Sequence, residues 1–540
     1  MDGNSKATRE PISPAHSEVR GWWGPRSLLS RRLPLLALLS SFLLQWLLLM
    51  NILAPTWDAT FYYSYARSLV FDQDVALEND LILSYPTASD DFITNEPHAK
   101  QTATGHVYAP FAIGSGLLWL PFLALLRLSA LLAGVSVTSG FEPFMVAPIA
   151  TFSALTGFVL FYLCYRIAAR EARKTSALIA TLTLTFATPL VYYQFREPLY
   201  AHVPSALFNT LFLYAWWRSY DRIPTFRQGL VIGFLLGLAT LMRWQNAIYI
   251  ILPVISAGWA WLRLAPEQRH RRVNALFAFF AASVITFIAV FSLQLAVWQI
   301  HYGSWLTIPQ GSAFMTWQAP FLRETLFSSF RGLLPWMPVF GLALVGLLVQ
   351  VRRRPRLILP LLLLLLVSIY VNASSRDWFA GGAFGPRRST GEVAILVLGF
   401  AWLLQWLPKR LRLPLGLLAG VGLALHQWLL LRFGLSERIG GRVLSMAPDF
   451  EWAETGLVAF IRQLAAHIPD LFHHPLDVLV LPGSPLNYAL QLGRFPHLHV
   501  LSLLAAGAFL LASLALFRAL RRRVARLRAR PAETKKAAQA

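Results

Sequence analysis

The chain has 540 residues, of which 56% are hydrophobic and 14% charged, and its formal net charge is +22. Charged residues make up about a quarter of an ordinary soluble chain, so this composition excludes a soluble fold. The positive charge does not indicate nucleic-acid binding, because the arginines gather in short clusters between apolar runs, as they do on the cytoplasmic face of membrane proteins. Cys164 is the one cysteine, which excludes an intramolecular disulfide.

Apolar runs long enough to cross a bilayer recur along the chain. The first follows a polar, basic leader at 1–33 and is too long for the core of a cleavable signal peptide, so we predict an uncleaved anchor. Later runs are separated by short polar connections. The predicted spans are 34–53, 143–165, 175–193, 203–217, 229–243, 246–262, 275–298, 331–350, 357–371, 392–407, 414–432 and 498–518.

Alternate connections carry the basic clusters, beginning with the one at 166–174. If positive residues stay inside, about twelve spans result, and both termini are cytoplasmic. The opposite connections are then external. They include a first outer loop at 54–142 and a small outer cap at 433–497, while the chain ends in a basic cytoplasmic tail at 519–540.

Residues 110–134 test this scheme, because they are apolar enough to cross the membrane. If they crossed it, every later basic cluster would lie on the outer side. The segment is interrupted by Pro121 and contains Arg127. We therefore predict that it lies along or dips into the outer leaflet, packed against protein, without crossing. The alternative is an ordinary span with one connection that violates the charge rule.

Asp58 stands just beyond the first span and precedes an aromatic-rich amphipathic segment at 61–69 that suits the membrane interface. A carboxylate held there could meet a lipid-borne substrate, either as a general base or as a metal ligand. Tyr62, in the same segment, is a candidate substrate contact. The competing interpretation is a helix N-cap formed by Asp58 or Thr60.

Glu197 is the second candidate carboxylate, at the outer mouth between the third and fourth predicted spans. An ionisable group at a helix mouth is costly to desolvate, which favours a functional role, whereas an ion pair with Arg196 would be the structural alternative. His202 is either a second acid–base group or a hydrogen-bonding residue of the mouth. If a divalent metal ion binds, Asp58 and Glu197 are its candidate ligands.

Arginines on the predicted outer face need an explanation. Arg243 lies in a tight turn between two spans, where it could bind phosphate or snorkel to lipid headgroups. Arg331 opens the next predicted span, where the N–H groups of a helix N-terminus would help to hold an anion. Glu324 is a potential ion-pair partner that would give Arg331 a structural role instead.

Arg387 and Arg388 follow a glycine-rich loop at 381–385. Glycine allows the backbone to approach a ligand closely, and paired guanidinium groups match phosphate oxygens. We therefore predict that this loop binds phosphate. Ion pairing with Asp377 is the alternative.

The layout of spans and outer loops resembles that of the multi-span glycosyltransferases of the GT-C fold, particularly bacterial transferases related to protein mannosyltransferases and aminoarabinose transferases. The likeness runs from the first span to about residue 390 and is closest at 57–69, WDATFYYSYARSL, which resembles the start of that family's first outer loop. Glu197 occupies the place of the family's second acidic residue, and 108–114 resembles its interfacial region. Many relatives carry Asp-Glu at the first acidic site, whereas Ala59 follows Asp58 here.

The resemblance implies an all-α, polytopic membrane protein with interfacial helices in the first outer loop. It also implies sugar transfer from a polyprenyl-phosphate donor to an acceptor glycan, lipid or protein on the outer face. Asp58 would activate the acceptor or bind a divalent metal, Glu197 would assist, and arginines would stabilise the leaving phosphate.

A secondary transporter or lipid flippase is the competing class, but its polar groups would be expected near the midplane in repeated halves. A non-catalytic scaffold, in which Asp58 and Glu197 share no pocket, is a further alternative. With no disulfide and no retention signal, we expect a bacterial plasma (inner) membrane, with membrane lipids and no nucleic acid as partners.

Overall fold

The structure is a computed structural model that describes residues 28–51, 55, 58–84 and 101–408 without 329 and 382, together with the isolated positions 410, 411, 414, 416, 420, 422 and 486. Two compact units are distinguished, residues 1–36 with 500–540 and residues 37–499, and the second contains the candidate site. Nearly all of the predicted leader, of the span 414–432 and of the cap 433–497 lies outside the described residues. The span 498–518 and the tail 519–540 lie outside them entirely.

The described residues are helical, with two isolated β-bridges and no longer strand, which confirms the predicted all-α class. Short 3-10 segments stand at Trp244–Ile250, Ser312–Phe314 and Arg387–Ser389. The α-helices are α1 (Leu28–Leu49), α2 (Asp58–Phe71), α3 (Glu78–Ser84), α4 (Gly114–Leu132), α5 (Pro143–Glu171), α6 (Lys174–Phe186), α7 (Leu190–Phe195), α8 (His202–Trp217), α9 (Phe226–Met242), α10 (Ile251–Leu262), α11 (Pro266–Tyr302), α12 (Leu322–Phe327), α13 (Leu333–Trp336), α14 (Val339–Gln350), α15 (Pro355–Ala373) and α16 (Val393–Trp406).

Every predicted span within the described residues falls on helix, but two are interrupted. The span at 175–193 is divided between α6 and α7 just before Pro189, and the span at 331–350 between α13 and α14 just before Pro338. Proline lacks a backbone N–H and disfavours helical geometry in the residue before it; Met337 accordingly has φ −140° and ψ 68°.

The chain is a multi-pass membrane protein. Within the described residues, five helical stretches are long and apolar enough to cross a membrane, judged by length and composition. The total of about twelve crossings stays a prediction. The five stretches are Gly114–Leu132, Pro143–Glu171, Trp244–Leu262, Pro266–Tyr302 and Pro355–Ala373.

The basic connections meet at one end of the helices. Arg354 forms an ion pair with Glu171, and Asp221 pairs with Arg263 at 2.9 Å and with Arg356 at 3.0 Å. These contacts join the α5–α6, α8–α9, α10–α11 and α14–α15 connections. The clusters that the charge rule assigns to one side therefore share one face, which we call the basic face.

Segment α4 has both of its ends toward the opposite end of the helices. At its start, a side chain added to Gly114 would collide with the backbone of Leu241, one residue before the end of α9. Near its other end, the Arg127 guanidinium donates to the Val70 carbonyl of α2. The next helix, α5, then runs to Glu171 on the basic face. These are the contacts that a non-crossing segment requires; its position in the membrane stays a prediction.

Cysteine labelling tests this topology. Ala103→Cys and Ser136→Cys place exposed thiols before and after α4, and both should react with a membrane-impermeant maleimide added outside intact cells. The native Cys164 is buried and should give little background. Ala265→Cys, in the α10–α11 connection of the basic face, is the control and should react after permeabilisation. External labelling at one of the first two positions alone would show that α4 crosses.

Candidate active site

A cavity of about 340 Å³ lies at the end of the helices opposite the basic face. Its volume is within the range of about 300–1,000 Å³ that is usual for small-molecule sites. The start of α2, the start of α8, the turn after α9, the 303–321 loop, the end of α15 and the Arg387–Ser389 segment contribute to its walls. The polar residues of the wall are Asp58, Tyr62, His202, Arg243, Gln245, Gln310, Asn372, Ser375, Arg387 and Arg388.

Most of the site residues predicted from the sequence meet at this cavity, although they come from four distant parts of the chain. Glu197 and Arg331 are not on its wall. The predicted residues that line it are Asp58, Tyr62, His202, Arg243, Arg387 and Arg388.

Asp58 is the first residue of α2, where the helix dipole favours a negative charge. Arg387 Nη1 donates to Asp58 Oδ2 at 2.7 Å, and both side chains are less than one-fifth exposed. Burial lowers the pKa of the Arg387 guanidinium, but the Asp58 carboxylate and the Tyr193 and Tyr200 phenols together outweigh burial and hold that pKa above its usual range. Arg387 is therefore charged. Asp58 stands at a helix start, as the capping interpretation expects, yet its carboxylate faces an arginine in the cavity.

Tyr62 lies one helical turn after Asp58, on the same wall. Its ring packs against Phe111 with 5.2 Å between centroids. Burial raises the pKa of the Tyr62 hydroxyl to about 12, so the phenol is neutral and can donate a hydrogen bond into the cavity.

Arg243 contacts His202 across the cavity, with 2.6 Å between Arg243 Nη1 and His202 Nδ1. A guanidinium can only donate, so Nδ1 must accept and the imidazole is neutral, with its proton on Nε2. The turn that carries Arg243 is fixed by Asn246, whose Nδ2 donates to Ser205 Oγ at 2.8 Å and to the Ala239 carbonyl at 2.7 Å. Side chains from α8, α9 and the 3-10 segment thus set the position of Arg243.

Arg388 is anchored by Asp377, with 3.0 Å between Arg388 Nη2 and Asp377 Oδ2, and it also donates to Ser375 Oγ. Burial lowers the pKa of Arg388 to about 10, so it remains charged at neutral pH. The 303–321 loop crosses over this region, where Arg376 N donates to the Phe314 carbonyl at 2.9 Å. Arg388 therefore forms the ion pair with Asp377 that was the alternative interpretation, and it also lies on the cavity wall.

Arg331 has a different position from the one expected of a phosphate ligand. It is 2% exposed, its Nη1 donates to the Phe379 carbonyl at 2.9 Å, and its guanidinium lies 4.5 Å from the Phe330 ring centroid. Because its contacts lie behind the 377–386 loop, Arg331 supports that loop and does not line the cavity.

The glycine-rich loop also differs from the expectation. None of its described glycines lines the cavity. Gly385 has φ +59°, and a Cβ there would lie 3.1 Å from Pro189 and 3.2 Å from Trp336. This glycine is needed for a left-handed turn against a crowded surface, and that turn delivers Arg387 and Arg388 to the cavity.

Glu197 lies half-buried in a separate small cavity that also contains Asn51, Ala59 and Arg196. It therefore shares no cavity with Asp58, as the scaffold alternative expects, whereas Asp58 shares its cavity with three arginines. Burial, and then the charges of Asp58 and Glu197, raise the pKa of the Tyr200 hydroxyl well above the usual range, so both carboxylates act on Tyr200 electrostatically. The assisting role of Glu197 stays a prediction.

The donor set does not suit a divalent cation. Hard cations need several oxygen ligands, whereas Asp58 is paired with Arg387 and Glu197 is in another cavity. Across the described residues, no group of three His, Cys, Asp or Glu side chains is arranged to hold a metal ion. The arginines on the wall would also repel one. The residues present thus fit an anion better than a metal.

The far end of α2 is fixed to neighbouring loops, which holds Asp58 in place. Tyr63 OH donates to the Gly140 carbonyl at 2.7 Å, and Arg67 Nε donates to the Ser139 carbonyl at 2.9 Å. Arg67 Nη1 also lies 3.5 Å from Asp80 Oδ1, in a fully buried carboxyl group. Burial raises the pKa of Asp80 to about 7, although Arg67 acts in the opposite direction.

Sequence reasoning missed Glu392, which is buried directly before α16 and lines a small second cavity adjoining the first. The available signal was an ionisable residue at the start of an apolar run. It also missed Gln310 and Asn372, for which the sequence carries no comparable signal, because their place depends on how the 303–321 loop folds onto α15.

Three solved structures are similar to the chain. ArnT from Cupriavidus metallidurans bound to undecaprenyl phosphate is 14% identical, with 84% of this chain and 75% of that chain covered, at a TM-score of 0.44. The same protein in the apo state is 14% identical, with 83% of this chain and 74% of that chain covered, at a TM-score of 0.41. The apo oligosaccharyltransferase from Archaeoglobus fulgidus is 12% identical, with 85% of this chain and 61% of that chain covered, at 0.38.

No protein-family model matches the chain, and the comparison with curated proteins finds no match. The similar structures are GT-C glycosyltransferases, which is the class that the sequence resemblance names.

The anchor of α2 gives a pH-dependent prediction. With a pKa of about 7, folded Asp80 keeps a proton that the unfolded chain releases near pH 4. Its stabilising contribution is therefore present at about pH 4 and is lost as the pH rises to about 7. Between these values, the melting temperature of the wild type should fall relative to that of Asp80→Asn, whose amide stays neutral.

The control is Glu267→Gln, which removes an exposed carboxylate at the basic face. Its melting curve should follow the wild type at every pH. Parallel pH dependences of the wild type and Asp80→Asn would contradict the assignment of the proton to Asp80.

Proposed function

We propose that this protein is a membrane glycosyltransferase that moves a sugar from a polyprenyl-phosphate donor to an acceptor glycan, lipid or protein at the outer face. One observation carries the proposal: Asp58 and three arginines, one of them paired with Asp58, line one cavity at the end of apolar helices, within the part of the chain that the structure describes. That set of groups matches the chemistry of a lipid-linked phosphate sugar.

Charge favours an anionic ligand. Counting the described wall residues, Arg243, Arg387 and Arg388 exceed the one carboxylate, Asp58, by two charges, since His202 is neutral. A phosphodiester carries one negative charge, and guanidinium groups bind phosphate oxygens through charge-assisted hydrogen bonds. Among the described residues, Arg243 forms no ion pair with a carboxylate, and its side-chain contact is with the neutral His202, so its guanidinium can bind an anion.

Apolar groups on the same wall favour a lipid. Phe111, at the start of the segment 110–134, faces the cavity, as do Ile308, Phe314 and Trp317 of the 303–321 loop. Ile308 is 57% exposed and Trp317 is 45% exposed. The wall therefore continues as an apolar surface to the outside of the protein, where a polyprenyl tail would remain among lipids while its phosphate enters the cavity.

In this mechanism, the acceptor hydroxyl donates a hydrogen bond to Asp58 and transfers its proton there as its oxygen bonds to the sugar C1. The bond between C1 and the phosphate oxygen breaks, and its electron pair leaves with the polyprenyl phosphate, whose charge changes from −1 to −2. Arg243 and Arg388 stabilise that additional charge. Arg387 orients the Asp58 carboxylate through its hydrogen bond, and Glu197 assists.

A secondary transporter or lipid flippase remains the alternative class. The described ion pairs of the bundle lie at its two ends and not at the middle of the helices, unlike the midplane sites of transporters. The same cavity could still present a lipid headgroup for transport, so the test must detect a broken glycosyl bond.

The central test uses radiolabelled polyprenyl-phosphate sugars and purified protein in lipid. The wild type should release label from the polyprenyl carrier, and Asp58→Asn should lower the rate by about 10²- to 10⁴-fold, as expected for loss of a general base. Asp221→Asn is the matched control, because it also removes a carboxylate paired with arginine, but at the basic face. It should retain the wild-type rate.

Full transfer by Asp58→Asn would remove Asp58 from the mechanism while leaving the enzyme class intact. If folded wild-type protein released no label from any donor, the transporter would become the better assignment.

Arg243 provides a second test. Arg243→Gln removes a charge-assisted hydrogen bond to phosphate, worth about 1.5–3 kcal/mol, and should raise the KM for the donor by about 10-fold or more. Arg243→Lys, which keeps the charge but loses the planar fork, should fall between this variant and the wild type. Arg263→Gln at the basic face is the control. An unchanged KM in Arg243→Gln would place the phosphate elsewhere.

A further inference from the structure

Behind the main cavity lies a second cavity of about 10 Å³. The two share the walls formed by Arg243, Gln245, Val371, Asn372 and Arg388. The arginines that face the proposed phosphate site on one side thus face this smaller space on the other.

Glu392 supplies the charge in the smaller cavity. It is 6% exposed, and its Oε1 accepts a hydrogen bond from Ser368 Oγ at 2.6 Å. Its other carboxyl oxygen, Oε2, is buried without a hydrogen-bond partner among the described residues. A buried carboxylate oxygen left without a donor is costly, and the structure keeps it beside two guanidinium groups.

The charged groups that face Glu392 are Arg243 and Arg388. The nearby Tyr249 hydroxyl donates to the Gly391 carbonyl at 2.9 Å. Glu392 is absent from the wall of the main cavity, so it does not reach the proposed substrate. Its charge therefore acts on a bound phosphate without contact, by lowering the positive potential that Arg243 and Arg388 create in the cavity.

We propose that Glu392 is a positioning residue whose carboxylate offsets part of the positive charge of Arg243 and Arg388 and so limits how tightly the cavity holds polyprenyl phosphate. The inference rests on the proposed function. Transfer produces a phosphate dianion in a cavity with an excess of arginine, in a medium where charges interact strongly. A counter-charge behind the arginines weakens that attraction and allows the product to leave.

The experiment measures binding of a polyprenyl phosphate, in neutral detergent at pH 8, to purified full-length protein. Glu392→Gln keeps the shape of the side chain and removes its charge, and it should bind about fivefold or more tightly than the wild type, within the usual range of coupling between sites. Glu392→Met, also neutral and of similar size, should bind more tightly as well. Glu392→Asp keeps the charge and should remain close to the wild type.

A kinetic readout accompanies binding. In Glu392→Gln, kcat and KM for the donor should fall together, because the product leaves slowly when it is held more tightly. Glu267→Gln, which removes one negative charge from the exposed start of α11, should change neither affinity nor kcat.

The alternatives are separable. Equal affinity of Glu392→Gln and the wild type, or weaker binding by both Glu392→Gln and Glu392→Asp, would overturn the inference and leave the proposed function standing. If the wild type bound no polyprenyl phosphate, the proposed function would fail and the inference with it.

Discussion

The ion pair between Asp58 and Arg387 joins two parts of the chain that are 329 positions apart. It connects the first residue of α2 to the segment before α16, and the cavity lies between these elements. Partly buried charges of this kind are stable as a pair, whereas loss of one partner leaves an uncompensated charge. The pair therefore constrains where the first outer loop and the last described loop meet, and the positions of the cavity's other side chains depend on that closure.

Around this pair, the two ends of the helices differ in charge balance. At the basic face, Asp221 pairs with two arginines in exposed contacts that contribute little to stability, and the more buried Glu171 pairs with Arg354. At the opposite end, Arg243 is partly buried and contacts a neutral histidine. A partly buried cation with no carboxylate in direct contact is costly unless an anion arrives, which is why the second end has the properties of a binding site.

The elements that could be predicted from the sequence are those that the bilayer dictates. Span lengths follow from bilayer thickness. Arg243, Arg387 and Arg388 were identifiable because arginines are unusual on the outer side, and Asp58 was identifiable because it stands just beyond the first span. Tertiary features were not accessible. Like the other arginines that were predicted to bind phosphate, Arg331 stands at the predicted outer face. In the structure, however, the 377–386 loop folds across Arg331. Its role depends on a loop path that no local pattern encodes.

Glu197 and Glu392 extend this distinction to the carboxylates. The sequence places Glu197 beside Asp58 by analogy of loops, but the structure gives each its own cavity. Glu392 lies behind the arginines, where the sequence shows only the start of an apolar run. Three carboxylates at one end of the helices thus have three different relations to the proposed phosphate: Asp58 faces it, Glu197 lies in a separate cavity, and Glu392 lies behind the arginines. Because all three residues carry the same carboxyl group, their different relations to the phosphate are determined by burial and by the neighbouring groups.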